Sequence, residues 1–151
     1  MPIIKTELLI KANRDIVFDL ARSVDFHQKS TAQTNEKAIA GKTSGLMKLG
    51  EQVTWRAKHL GIYQNLTSKI TAMEYPTSFT DEMVKGAFKS FKHQHQFIDK
   101  DGDILMIDTF DYTSPFGFVG RFVDWLFLEA YMRKLLERRN FLIKVEAEVS
   151  V

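Results

Sequence analysis

Between Lys37 and Thr113 the side chains alternate apolar and polar in six runs: Lys37 to Ala40, Gln52 to His59, Tyr63 to Met73, Ser78 to Lys85, Lys89 to Asp99 and Asp103 to Thr113. A period of two is the repeat of a strand, whose successive side chains point to opposite faces. Turn-forming residues separate the runs: Gly41 and Gly45, Gly50, Gly61, Tyr75 with Pro76, Gly86, and Asp101 with Gly102. Connections this short suit hairpins, which join antiparallel strands. One more alternating run, Ile3 to Lys11, precedes them. After it, Asn13 offers a side-chain cap to a short helix through Ile16, Val17, Leu20 and Ala21, and a second short helix is expected around Asp25 to Thr31.

The pattern changes once more after Thr113. From about Phe116 or Phe118 to beyond Lys144 the sequence reads as one long helix with an apolar stripe of Trp125, Leu128, Met132, Leu135, Leu142 and Val145. Arg133, Lys134, Arg138 and Arg139 read as its solvated side. Roughly 28 helical residues span about 42 Å, enough to cross a whole sheet. The expected fold is therefore α+β: a curved antiparallel sheet of about seven strands wrapped round a long C-terminal helix, with two short helices after the first strand. Such an arrangement leaves a cavity between sheet and helix. No repeat or linker divides the chain, so residues 1–151 are expected to form one domain.

Composition removes several classes of function. The 21 basic and 19 acidic residues are interspersed and give a net charge of +2, which supplies no field for nucleic acid. The absence of cysteine excludes disulfides, a thiolate nucleophile and cysteine-ligated zinc. The opening MPIIKTELLIKAN lacks the basic leader and apolar block of a signal peptide, so an unprocessed cytoplasmic chain is expected. AGKTSG at 40–45 only imitates a phosphate loop, because Glu36 stands where the first glycine is required; a hairpin turn explains these glycines better. No Gly-x-Ser-x-Gly elbow occurs, and no cofactor is expected.

Candidate site residues follow from the faces of the strands. In FKHQHQF, residues 91–97, Phe91, His93, His95 and Phe97 share one side, so the two imidazoles go where the phenylalanines go. Val53, Trp55, Ala57 and His59 share the inner side of their strand, and Phe79, Asp81 and Met83 that of theirs. Ile104, Met106, Asp108, Phe110 and Tyr112 share one side of the last strand, whose other side also holds Leu105 and Ile107, so this strand is expected to be covered on both faces. The cavity wall is then Trp55, Phe79, Met83, Phe91, Phe97, Met106 and Phe110, with Trp125 from the helix, and its polar points are Asp81, His93, His95 and Asp108. Mostly apolar walls with a few fixed polar groups are the composition of a small-molecule site.

Four roles are open to those polar points. They can form a structural hydrogen-bonded network. They can meet the polar head of a ligand whose apolar part lies among the aromatic rings. His93 and His95 can share a metal ion if Asp81, Asp108 or His27 converges as a third ligand, although the spacing shows no such convergence and no metal is expected. As an enzyme, the chain would use His93, His95, Asp108 and Asp81 for acid and base work.

The succession of motifs also resembles a family. From Ala12 through VFDLARSVDFH, then GEQVTWRAKHLG at 50–61, PTSFTDEMVKGAFKSFKHQHQF at 76–97, MIDTFDYTSPFG at 106–117 and YMRKLLERRNFLIK at 131–144, the chain is similar to the bacterial ligand-binding SRPBCC proteins, a branch of the START and pollen-allergen superfamily sometimes labelled cell division inhibitors. The resemblance implies the helix-grip fold and a hydrophobic pocket, in a superfamily whose members carry lipids, bind hormones or cyclise polyketides. The expected function is binding, as carrier or sensor, of an apolar or amphipathic small molecule. The alternative is a cyclase- or dehydratase-like enzyme using the same pocket.

FGFVGRFVDWLFLEAYM, 116–132, is apolar on more than one stripe. Arg121, Asp124 and Glu129 interrupt it too often for a membrane span. Burial between the sheet and the preceding loop accounts for it, with self-association or docking on a membrane surface as alternatives. A monomer or homodimer is expected.

Overall fold

The computed structural model describes residues 3–59, 61–114 and 127–149. Seven strands form one antiparallel sheet: β1 Ile3–Ile10, β2 Lys37–Gly41, β3 Gln52–His59, β4 Ile62–Glu74, β5 Ser78–Lys85, β6 Ser90–Lys100 and β7 Asp103–Thr113. Their order is β1-β7-β6-β5-β4-β3-β2, a meander from β2 to β7 in which β1 closes against the last strand. Two short helices, α1 Arg14–Arg22 and α2 Val24–Ser30, with a 3-10 turn at Ala32–Thr34, fill the connection from β1 to β2. The long helix α3, Glu129–Val149, follows β7. The expected start of that helix near Phe116, and Trp125 with it, lie outside the described residues.

Gly41 shows why glycine ends β2. Its φ is +72°, and a Cβ there would stand 2.4 Å from the carbonyl oxygen of Gln52. The glycines of AGKTSG thus serve the turn into β3. Bulges bend the sheet round the helix. In β4, Leu66, Ser68 and Ile70 point inward, and the register shift between Ile70 and Ala72 reverses the alternation so that Met73 packs on the core in place of Ala72.

The apolar interior has two parts. The larger joins Val17, Phe18, Ala21 and Val24 of the short helices to Trp55, Ile70, Phe79, Phe97 and Met106 of the sheet and to Ile143 and Ala147 of α3. The smaller gathers Ile4, Phe91, Phe110, Tyr112 and Leu136. Polar side chains of α3 tie it to β1, with Asn140 donating to Oγ1 of Thr6 at 3.1 Å and Lys144 to the carbonyl of Leu9 at 2.8 Å.

Several details depart from expectation. Asn13 occupies the cap position of α1, yet its side chain makes no capping hydrogen bond; Ser23 does cap α2, accepting from the Phe26 amide at 3.0 Å. The outer side of β7 is half-buried, with only Ile107 deeply covered, because Glu7 and Gln96 flank it on β1 and β6. The buried face of α3 runs Leu136, Arg139, Asn140, Ile143 and Ala147, one residue beyond the apolar stripe, and Val145 is exposed. Arg139, placed by sequence on the solvated side, is 7% exposed. A stripe drawn through apolar residues alone passes beside this face, since two of its members are polar.

Candidate functional site

Between the two apolar clusters the sheet carries a polar row, and strand register builds it. Thr6 of β1 pairs with Asp108 of β7, Asp108 pairs with His95 of β6, and the neighbouring inward residue of β6, His93, pairs with Asp81 of β5. Along β6 the face reads Phe91 in the smaller cluster, then His93 and His95, then Phe97 in the larger. The imidazoles therefore bridge two apolar patches, and Asn140 covers the row from the helix.

His95 is held at both nitrogens. Its Nε2 lies 2.8 Å from Oδ1 of Asp81 in an aligned hydrogen bond. Its Nδ1 lies 2.8 Å from Oδ1 of Asp108, with the N–H off the line, so this second contact is ionic more than a directed hydrogen bond. Nε2 of His93 stands 3.4 Å from the same Asp108 oxygen, and the two rings lie 3.8 Å apart. Oδ2 of Asp108 accepts from Nδ2 of Asn140 at 2.5 Å. Phe79 stacks on His95 with ring centres 4.2 Å apart.

Burial and charge fix the protonation pattern. Burial opposes a charged ring at His95, but the carboxylates of Asp108 and Asp81 outweigh it and lift its pKa above the ordinary imidazole value. Burial lowers that of His93, and the charge on His95 lowers it further. Burial would raise Asp108, yet His93 and His95 hold it well below the carboxylate range, and His95 does the same to a lesser degree for Asp81. The surroundings thus favour a proton on His95, between two carboxylates, and disfavour a second on His93.

A cavity of about 130 Å³ opens on this row. Its walls come from the junction of α1 and α2 (Ala21, Arg22, Ser23, Val24, His27), from Met47, from β3 and β4 (Val53, Trp55, Ser68, Ile70), from β5 and β6 (Phe79, Asp81, His93, His95) and from α3 (Leu136, Arg139). Of the twelve residues proposed from sequence, Trp55, Phe79, Asp81, His93 and His95 line it. Asp108 lies beneath the histidines with no exposed surface. Phe97 and Met106 are packed in the larger cluster, and Phe91, Phe110 and Met83 belong to the smaller. Trp125 lies outside the described residues. Sequence missed Arg139, Leu136 and, apart from His27, the junction residues; the signal for Arg139 was its spacing of three from Leu136 and four from Ile143 on one helical face.

His27 lines the same cavity but does not join the histidine pair. Its Nε2 is 2.8 Å from Oε1 of Glu36, and its ring packs 4.3 Å from that of Trp55. Among the described residues, one ligand atom each of Asp81, His93 and His95 lie within 4.8 Å of one another, a spacing that one ion could share. An ion there would have to displace the proton that His95 shares with Asp81.

This architecture recurs in solved structures. It is the helix-grip fold. TTHA0849 of Thermus thermophilus superposes with a TM-score of 0.75 at 14% identity, covering 97% of this chain and 99% of that one. Major latex-like protein 151 of Panax ginseng gives 0.71 at 19% identity over 97% of each chain. Ms6760 of Mycobacterium smegmatis gives 0.72 at 14% identity, covering 99% of this chain and 92% of that one. No family model matches the sequence, and no curated protein does. At such identities the likeness is one of fold, on which sites differ from protein to protein. Among the described residues no helix is long and apolar enough to cross a membrane.

Proposed function

We propose that the chain binds a small apolar or amphipathic molecule in the cavity between sheet and helix, as a carrier or sensor. The observation that carries this reading is the cavity of about 130 Å³, walled by Val53, Trp55, Ile70, Phe79 and Leu136 and floored by a fixed polar row. A void of about 150 Å³ lined by apolar side chains takes up a benzene ring, so this volume suits one ring or a short branched chain. The polar row supports binding over chemistry, because its charges already satisfy one another and His95 has a carboxylate at each nitrogen.

The alternative, acid and base work by a cyclase- or dehydratase-like enzyme, finds support in His93 alone. That ring is kept neutral and borders the cavity, as a general base must. Native mass spectrometry of protein purified without denaturation separates the readings. A carrier shows a discrete added mass that disappears in Ser68→Phe, which fills the cavity. A chain that is always free of added mass and turns over a cyclisable β-polyketone, with loss of turnover in His93→Gln, contradicts the carrier reading.

A further inference from the structure

We propose, on the basis of the cavity-binding reading, that the ligand is a small organic acid whose carboxylate oxygen is received by Nη1 of Arg139. Arg139 sits on the inner face of α3 and lines the cavity with 7% of its surface exposed. Its Nη2 donates to the carbonyl of Ala21 at 2.8 Å, which fixes the plane of the guanidinium against the junction of α1 and α2. Its Nη1 is buried with no hydrogen-bond partner. A buried cationic donor left unmatched is costly, and a carboxylate is the group whose geometry and charge suit it best.

The other charged groups of the wall, and Glu36 behind His27, are already matched. Arg22 is held by Oδ1 of Asp19 at 2.7 Å and 2.9 Å and by the carbonyl of Met47 at 3.2 Å. Asp81 has His95, and the carboxylate of Glu36 has His27, each at 2.8 Å. Nη1 of Arg139, unlike Nδ1 of His95, has no carboxylate of the described residues against it, and a ligand monoanion completes it without breaking an existing pair. Trp55, Ile70 and Phe79 line the same cavity and suit the apolar body of such an acid. The volume limits that body to about one ring, as in a substituted benzoate or phenylacetate.

Isothermal titration calorimetry of the full chain with 4-isopropylbenzoate and with the neutral 4-isopropylbenzyl alcohol tests the proposal. In the wild type the acid is expected to bind more tightly by on the order of ten-fold or more, the range of a charge-assisted hydrogen bond. Arg139→Gln should bring the ratio of acid to alcohol affinity to about one, and Arg139→Lys, which keeps the charge, should retain part of the preference. If Arg139→Gln does not fold, the wild-type preference and Arg139→Lys still decide. Equal binding of acid and alcohol by the wild type would overturn the assignment of an acid and leave the cavity reading intact. Binding of neither would overturn the cavity reading, and this proposal with it.

Discussion

His95 and Asp108 face each other as register partners on β6 and β7, with Nδ1 2.8 Å from Oδ1, and neither side chain has more than a trace of exposed surface. A buried carboxylate is tolerated only with partners, and Asp108 has His95 beside His93 and Asn140. The charge state of His95 therefore contributes to the stability of the sheet's centre.

The dependence on pH follows from the signs. The pKa of His95 is raised above 6.5, so its contribution is complete below about pH 6.5 and is lost as pH rises through the raised value. His93 is lowered from 6.5 and costs stability as pH falls from there toward its folded value. Asp108 and Asp81 are lowered from 3.8, so their contributions hold above that value and fade as pH falls through their folded values. Urea denaturation between pH 5 and pH 9 should show stability declining on the alkaline side in the wild type, and His95→Gln should be less stable but lack that decline. The same alkaline slope in both proteins would place the proton elsewhere.

Asn140 keeps Asp108 oriented from the helix side. Asn140→Asp brings a second carboxylate against the first, and like charges in contact cannot both remain ionised. The variant should lose about 3 kcal/mol at pH 8 and recover part of that as pH falls, since the raised pKa of the new pair relieves the repulsion on protonation. Chemical denaturation at pH 5 and pH 8 measures the recovery; a loss equal at both values would mean that the helix shifts away from the pair.

Packed core and cavity wall respond differently to added volume. Ser68 borders the cavity, whereas Met106 is 1% exposed within the larger cluster. Ser68→Phe should keep the fold, with a melting temperature close to that of the wild type. Met106→Trp should lose roughly 1–3 kcal/mol or more through overpacking. Thermal melts followed by circular dichroism give the comparison, and equal losses would show that the volume beside Ser68 is not free in solution.

The strands were legible because most inward residues are apolar and each turn carries glycine or proline; β3, β5 and β7 run from Gln52, Ser78 and Asp103 as their alternation indicates. The polar row was legible in part for the same reason, since His93 and His95 keep step with Phe91 and Phe97. Arg139 and Asn140 were not, because a charged or amide side chain inside a helix looks like its wet face until its partners are known. Asp108 and Ala21, which accept hydrogen bonds from them, are 32 or more residues away in sequence. Ser23, which caps α2, gave no warning either, because a single residue between two helices carries no periodic signal.

Uptake of a small molecule by the cavity is read out by NMR titration with 4-isopropylbenzyl alcohol. Saturable shifts are expected at the Trp55 indole N–H and the Ile70 methyl, with intermolecular contacts from both, and no change at Ile4 or Tyr112 in the smaller cluster. Absence of saturation up to the solubility limit, or shifts scattered over the outer face of the sheet, would contradict it.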